Sequence, residues 1–222
     1  MTSGKRATAL TVGCINGPDA GVGVHQVKEF SPRISLGCSI ASRPYLALAM
    51  LDHPDYAHWV DTEWPKLGIY YAMTDGGGHG TVRRVPGFAD PLVRYRVTPE
   101  ARRDLATGLQ ALCRALLAAG ATEVFPCIGG FGPPIRSESE LTRIPAELSA
   151  DHTQLMTIHL LGSCPMGEGD AEAPCDSFGG LKGYHNLSVN DASLLCDSPG
   201  VNPQGSVMVL ARRNALHHLG EL

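Results

Sequence analysis

The sequence has no Cys-x-x-Cys pair, no Walker loop and no His-Glu-x-x-His, and these absences remove zinc ribbons, P-loop nucleotide hydrolases and zincin proteases. No stretch approaches the roughly 20 apolar residues a bilayer span requires, and Met1–Leu10 lacks the apolar core of a secretory signal. The expectation is a cytoplasmic protein. Seven scattered cysteines, an odd number, fit no disulfide framework and read as reduced thiols. Eighteen Lys+Arg against 22 Asp+Glu leave a net charge of −4, without the basic excess of nucleic-acid proteins. Aromatics are only 6%, too few for a broad sugar-stacking platform. The 43% hydrophobic content is too high for a disordered chain, and 222 residues suffice for one good core plus an appendage.

What is present reads first as β. Apolar residues fall at every second position through Arg33–Ile40, the period of a strand with one buried face. Leu67–Thr74, Thr81–Val85 and Val93–Val97 follow, with Asp75–Gly80 as a turn; short connections predict an antiparallel meander. Pro44–Leu51 fits a short helix. The clearest helix starts at Thr98 as N-cap with Pro99 in its first turn and stops before Gly120; Leu105, Leu109, Leu112 and Leu116 form one apolar stripe that should lie on the sheet. Residues 128–145 read as a Gly/Pro-rich loop or linker, with the main boundary after it: 1–150 as one region and 151–222 as a C-terminal segment. The chain ends in a helix predicted over Pro203–Leu219, with Asn202 as N-cap.

Two weaker motifs carry little. Gly21-Val22-Gly23-Val24-His25-Gln26 has Gln where a dinucleotide loop needs its third Gly. Gly37-Cys38-Ser39-Ile40-Ala41 is near a nucleophile elbow but lies within an alternating strand, against a hydrolase built on Ser39. Cys164 with Cys175 or Cys196 lacks a close ligand pair for a metal. His25 and His53 are expected on the surface or in a turn, and His217-His218 at a solvated helix end.

The informative segment holds His159-Leu160-Leu161-Gly162-Ser163-Cys164-Pro165-Met166-Gly167, then Gly183-Tyr184-His185-Asn186-Leu187-Ser188-Val189-Asn190-Asp191-Ala192-Ser193, then Gly200-Val201-Asn202-Pro203-Gln204. In order, spacing and residue type this resembles the C-terminal half of the glucose–methanol–choline (GMC) family of FAD-dependent alcohol oxidoreductases. The resemblance implies an α+β fold, an antiparallel β-sheet with packed helices as in the GMC substrate domain, plus a C-terminal segment that would complete an FAD-binding domain. It implies oxidation of an alcohol CH–OH, with His159 as catalytic base and Asn202 as the second polar group at the substrate oxygen. Asp191, Ala192, Asn202, Pro203 and Gln204 are implied as FAD contacts, and no metal is implied.

The chemistry is sound on the residue types alone. An imidazole with an ordinary pKa near 6.5 is a natural proton acceptor at neutral pH, whereas an amide can orient a hydroxyl but not take its proton. Each residue also has a structural alternative: His159 as a core histidine, Asn202 as a helix cap, Asp191 as a turn residue. The Gly-rich dinucleotide half of the family is missing from the sequence. The resemblance therefore implies an FAD-binding partner chain, a truncated product, or a remnant that binds a ligand or partner without redox activity. The last segment, left alone, should expose apolar surface.

Overall fold

The computed structural model describes residues 7–14, 26–27, 33–75, 78–157, 159–169, 171–200 and 202–222. The Gly21–His25 part of the loop-like motif, and with it the expectation for His25, lies outside them. The chain forms two compact units: a sheet unit from Ala7–Gly76 and Thr98–Met156, and a C-terminal unit that joins Thr157–Leu222 to the described residues of 77–97. The chain passes between them for the last time at Met156–Thr157.

In the sheet unit, β1 (Ala7–Cys14), β2 (Gln26–Val27), β3 (Ile34–Ser39), β4 (Leu67–Thr74) and β7 (Glu123–Pro126) pair in the order β2-β3-β4-β1-β7, and β8 (Leu155–Met156) also pairs with β1. Every pairing is antiparallel. Register places Val12 opposite Ile69 on one side and Phe125 on the other, so three apolar side chains cross the sheet in one row. Around that row pack α1 (Arg43–Ala49) and α2 (Trp59–Thr62), which supply Leu46, Ala49 and Val60 to the core, along with Met50 just past α1. Tyr56, Trp59 and His53 set their rings edge-on to Phe125, with centroids 5.1, 5.5 and 5.3 Å away, a favoured aromatic geometry.

His53, expected on the surface or in a turn, lies between the 3-10 turns Met50–Asp52 and Pro54–Tyr56 but is only 2% exposed. Its Nε2 lies 2.7 Å from the Pro126 carbonyl and must donate, because a carbonyl oxygen can only accept. That hydrogen bond is what lets a polar ring sit in the core.

The other sheet face is covered by α3 (Pro99–Ala118), which packs on β1, β3, β4 and β7. Thr98 Oγ1 accepts from Ala101 N–H at 3.2 Å, a side-chain cap that satisfies one otherwise orphaned donor. Leu105, Leu109, Leu112 and Leu116 are all buried, as their spacing predicts.

Residues 128–145 are not a linker. Val124 and Ile135 exchange backbone hydrogen bonds of 2.9 and 2.8 Å, and Ile135, Leu141, Ile144 and Leu148 are buried. Glu147 pairs with Arg102 and Arg103 of α3. The glycines and prolines shape the path of this segment, but its spaced isoleucines and leucines anchor it.

The expected meander is also corrected. Gly78, His79 and Gly80 belong to β5 (Gly78–Arg83), which pairs with β6 (Leu92–Val97) as a separate two-stranded sheet in the C-terminal unit. β4 spends both its edges on β1 and β3, so no edge remains for β5. Among the described residues, no helix is long and apolar enough to cross a membrane.

Candidate functional site

All the singled-out residues lie in the C-terminal unit. Asp191 opens a short 3-10 turn, Ala192–Leu194. Its Oδ1 accepts from Ser193 N–H at 2.8 Å and from Ser193 Oγ at 2.5 Å. The Ser193 hydroxyl, with the backbone N–H beside it, holds the Asp191 carboxyl below its ordinary pKa, since both donors favour the charged form. The Ala192 N–H, at the head of the turn, has no acceptor among the described residues.

The segment after His159 runs beside this turn. Cys164 N–H donates to Ser193 O at 3.1 Å, and Met166 N–H to Leu194 O at 3.2 Å. His159 itself is half-buried, with Nδ1 shielded from solvent, in an extended stretch that ends on buried Leu161 and Gly162. The first two motifs read from the sequence are thus joined through backbone hydrogen bonds.

The third motif starts the last helix, α4 (Gln204–His218). The helix begins one residue later than predicted: Pro203, not Asn202, is the N-cap, with φ −81° and ψ 0°, and Val207 N–H donates to its carbonyl at 2.9 Å. Proline has neither an N–H nor a capping side chain, so no side-chain acceptor closes the first turn and no acidic residue occupies it. Gln204 and Gly205 are exposed there, as is Asn202 just before them. The result is a helix start with unpaired N–H donors and the positive end of the macrodipole facing outward.

Sequence reasoning missed what ties α4 to the turn. Asn214, the only buried residue of α4, donates through Nδ2 to Asn190 Oδ1 at 3.2 Å, and Asn190 Nδ2 donates to Ala211 O at 3.3 Å. Gly179 sits against both: a Cβ there would overlap the Val189 carbonyl oxygen and lie 3.1 Å from Asn214 Nδ2. The His217 ring, though solvent-exposed, stacks on Phe178 with centroids 3.7 Å apart, and Arg213 lies over the same Phe178 ring at 4.8 Å. His217 is thus more than the solvated helix end expected for it. An asparagine in a helix and one directly after a Leu-x-Val run are too common for their spacing to announce the pair.

A cleft of about 820 Å³ opens between 181–190 and the end of α4, lined by Lys182, Tyr184, Leu187, Asn190, Asn214 and His217 among others. None of His159, Asp191, Ala192, Asn202, Pro203 or Gln204 lines it. Among the described residues, no group of His, Cys, Asp and Glu is arranged to hold a metal ion.

The crystal structure of pyridoxine 4-oxidase from Mesorbium loti superposes with a TM-score of 0.55 at 20% identity, over 96% of this chain and 43% of that one. This likeness shows a shared fold, an α+β arrangement of antiparallel sheet and packed helices. The GMC oxidoreductase family profile matches residues 80–211. The GMC-type oxidoreductase y4nJ of Sinorhizobium fredii is 35% identical over 95% of this chain and 42% of its own length. Long-chain-alcohol oxidase FAO1 of Arabidopsis thaliana is 31% identical over 67% of this chain and 20% of its own. The chain belongs to the GMC oxidoreductase family. It spans less than half the length of these relatives.

Proposed function

We propose that this chain is the substrate-binding and flavin-contacting part of an FAD-dependent alcohol oxidoreductase. The observation that carries the reading is the outward-facing pair of donor sites in one unit: the uncapped start of α4 and the free Ala192 N–H. Both fit an electron-rich, oxygen-bearing cofactor better than a cation, because each presents only N–H groups. In this reading Ala192 and the Asp191 turn hold the FAD chain, and Asn202, Pro203 and Gln204 present the α4 N-terminus to the flavin edge. The helix end contributes about 1–2 kcal/mol toward negative charge placed there. Bound FAD would supply the hydride acceptor.

The chain's own residues handle the proton and the substrate. A ring nitrogen of His159 takes the hydroxyl proton of the alcohol. Asn202 orients the same oxygen, its amide donating toward developing negative charge. The substrate is proposed to be an aliphatic or alicyclic alcohol.

The remaining FAD contacts come from polypeptide outside this chain, as a partner chain or a missing N-terminal half. Leu160, Tyr184, Leu187, Met208 and Val209 are each at least half exposed, which supports a covering partner for the C-terminal unit. We place the assembly in the cytoplasm.

The test is anaerobic flavin reduction by an alcohol in the enzyme assembled with an FAD-binding half. His159→Ala should slow reduction by roughly 10²–10⁴, the usual weight of a general base. An unchanged rate rejects the assignment of His159. An assembly that carries no flavin absorbance at all favours a non-catalytic partner-binding subunit.

A further inference from the structure

Among the described residues the β5–β6 hairpin pairs with no other strand, and a two-stranded ribbon alone is marginal in water. Its register, with Val82 opposite Val93, Thr81 opposite Arg94 and Arg83 opposite Leu92, sorts the side chains into two faces. Val82, Val93, Tyr95 and Val97 share one face; Thr81, Arg83, Leu92, Arg94 and Arg96 share the other. Among the described residues the apolar face is covered toward its base, where Gly80 is buried and Tyr95 and Val97 are half-buried. Toward the tip, Val82 and Val93 are exposed, and Phe88, in a turn closed by its N–H to Val85 O at 3.2 Å, is 71% exposed. A bulky aromatic thus projects from a convex end.

The charge is equally one-sided. Arg83, Arg94 and Arg96 lie on the face opposite Val82 and Val93, with Arg84 just past β5; all four are exposed, and Asp90 is the only acid in the hairpin. Among the described residues none of these four arginines has a carboxylate partner, whereas Arg33, Arg102, Arg103, Arg114 and Arg136 of the sheet unit all do. Like charges gathered on one face of a ribbon repel, and this cluster stands out on a chain of net charge −4. A counter-charge from outside the chain relieves the repulsion.

We propose that the hairpin docks the protein on an anionic lipid surface. Phe88, Val82 and Val93 enter the headgroup–acyl boundary, and the four arginines lie at headgroup level with their stems along it. An acidic protein would match the charge, but it would also need a socket for a projecting Phe88; a fluid interface accepts a convex apolar tip without one. The inference stands independently of the flavin reading.

The experiment is co-sedimentation of the 222-residue chain with vesicles of equal parts phosphatidylcholine and phosphatidylglycerol, against phosphatidylcholine alone. Binding is expected to the anionic vesicles and to fall sharply when salt is raised from about 0.1 M to about 1 M, which shortens the screening length from about 10 Å to about 3 Å. Each arginine removed should weaken partitioning about fivefold, so Arg94→Ser with Arg96→Ser should lose about 25-fold. Arg94→Lys with Arg96→Lys should retain binding, and Phe88→Ser should lose about tenfold. Should the double serine variant fail to fold by circular dichroism, the salt series on the unaltered chain and Phe88→Ser decide the matter. Absence of binding, equal binding to both vesicle types, or salt-insensitive binding overturns the proposal. None of these outcomes bears on His159.

Discussion

Replacing Gly179 by alanine should damage the C-terminal unit far more than the same change at Gly183, although both glycines have nearly the same backbone, φ +85° and +87°. In that left-handed region an L-residue costs about 1–2 kcal/mol. At Gly183 the cost stops there, because an added Cβ meets nothing within 4 Å. At Gly179 the Cβ would overlap Val189 O and press on Asn214 Nδ2 at 3.1 Å and Leu194 Cδ1 at 3.3 Å. Relief requires moving the 187–190 segment, the turn or α4, and Val189 N–H also donates to Gly179 O at 2.8 Å. Overpacking of this kind adds about 1–3 kcal/mol, and each strained hydrogen bond about 1 kcal/mol more. The expected total is about 3–5 kcal/mol for Gly179→Ala against about 1–2 for Gly183→Ala. Hydrogen exchange at the Val189 and Leu194 amides, beside denaturant titration, reads the difference. Equal costs, or unchanged protection of those two amides in Gly179→Ala, would refute the claim that Gly179 is the close-approach point joining the 187–190 segment, the turn and the helix.

Three further outcomes follow from the packing and the charges. Leu109 is fully buried under the sheet, so Leu109→Ala should cost about 2.7–5 kcal/mol in chemical denaturation; a loss below 1 kcal/mol, the level of a surface site, would mean α3 is not seated as described. Burial pushes the Cys113 thiol up to about 12 and raises that of Cys127, while Cys196 is exposed; a thiol reagent at mild alkaline pH should modify Cys196 in the native chain and reach Cys113 only on unfolding, and simultaneous labelling would contradict this. The Asp191 carboxyl has a lowered folded pKa, so its stabilisation is complete above the unfolded value of about 3.9 and disappears as pH falls through the folded value. Asp191→Asn should therefore lower the denaturation midpoint at neutral pH and converge with the unaltered chain in acid; a gap that widens on acidification would contradict a lowered folded pKa at Asp191.

The partition between local and long-range information is visible in particular elements. Residues 98–120 specify their own helix: a threonine cap, a proline in the first turn, leucines four and three apart and a terminal glycine all act within a turn or two of one another. The span Leu67–Thr74 is equally self-evident from its β-branched and aromatic content. The site motifs at 159–167, 183–193 and 200–204 were legible as an ordered pattern, because spacing along the chain is what a family resemblance records.

Other features depended on partners far away in the chain. That Ala7–Cys14 is a central strand depends on β4 and β7, and Thr11 Oγ1 reaches Phe125 O at 3.1 Å across 114 residues. The burial of His53 depends on one carbonyl of Pro126, and the anchoring of 128–145 on the exchange between Val124 and Ile135. The separation of β5–β6 from β4, and the Asn190–Asn214 link that fixes α4 to the Asp191 turn, are likewise products of assembly. Helix signals are short-range because their hydrogen bonds close within four residues. Strand order and buried polar pairing are long-range, because each bond is completed by whichever distant segment the packed core brings alongside.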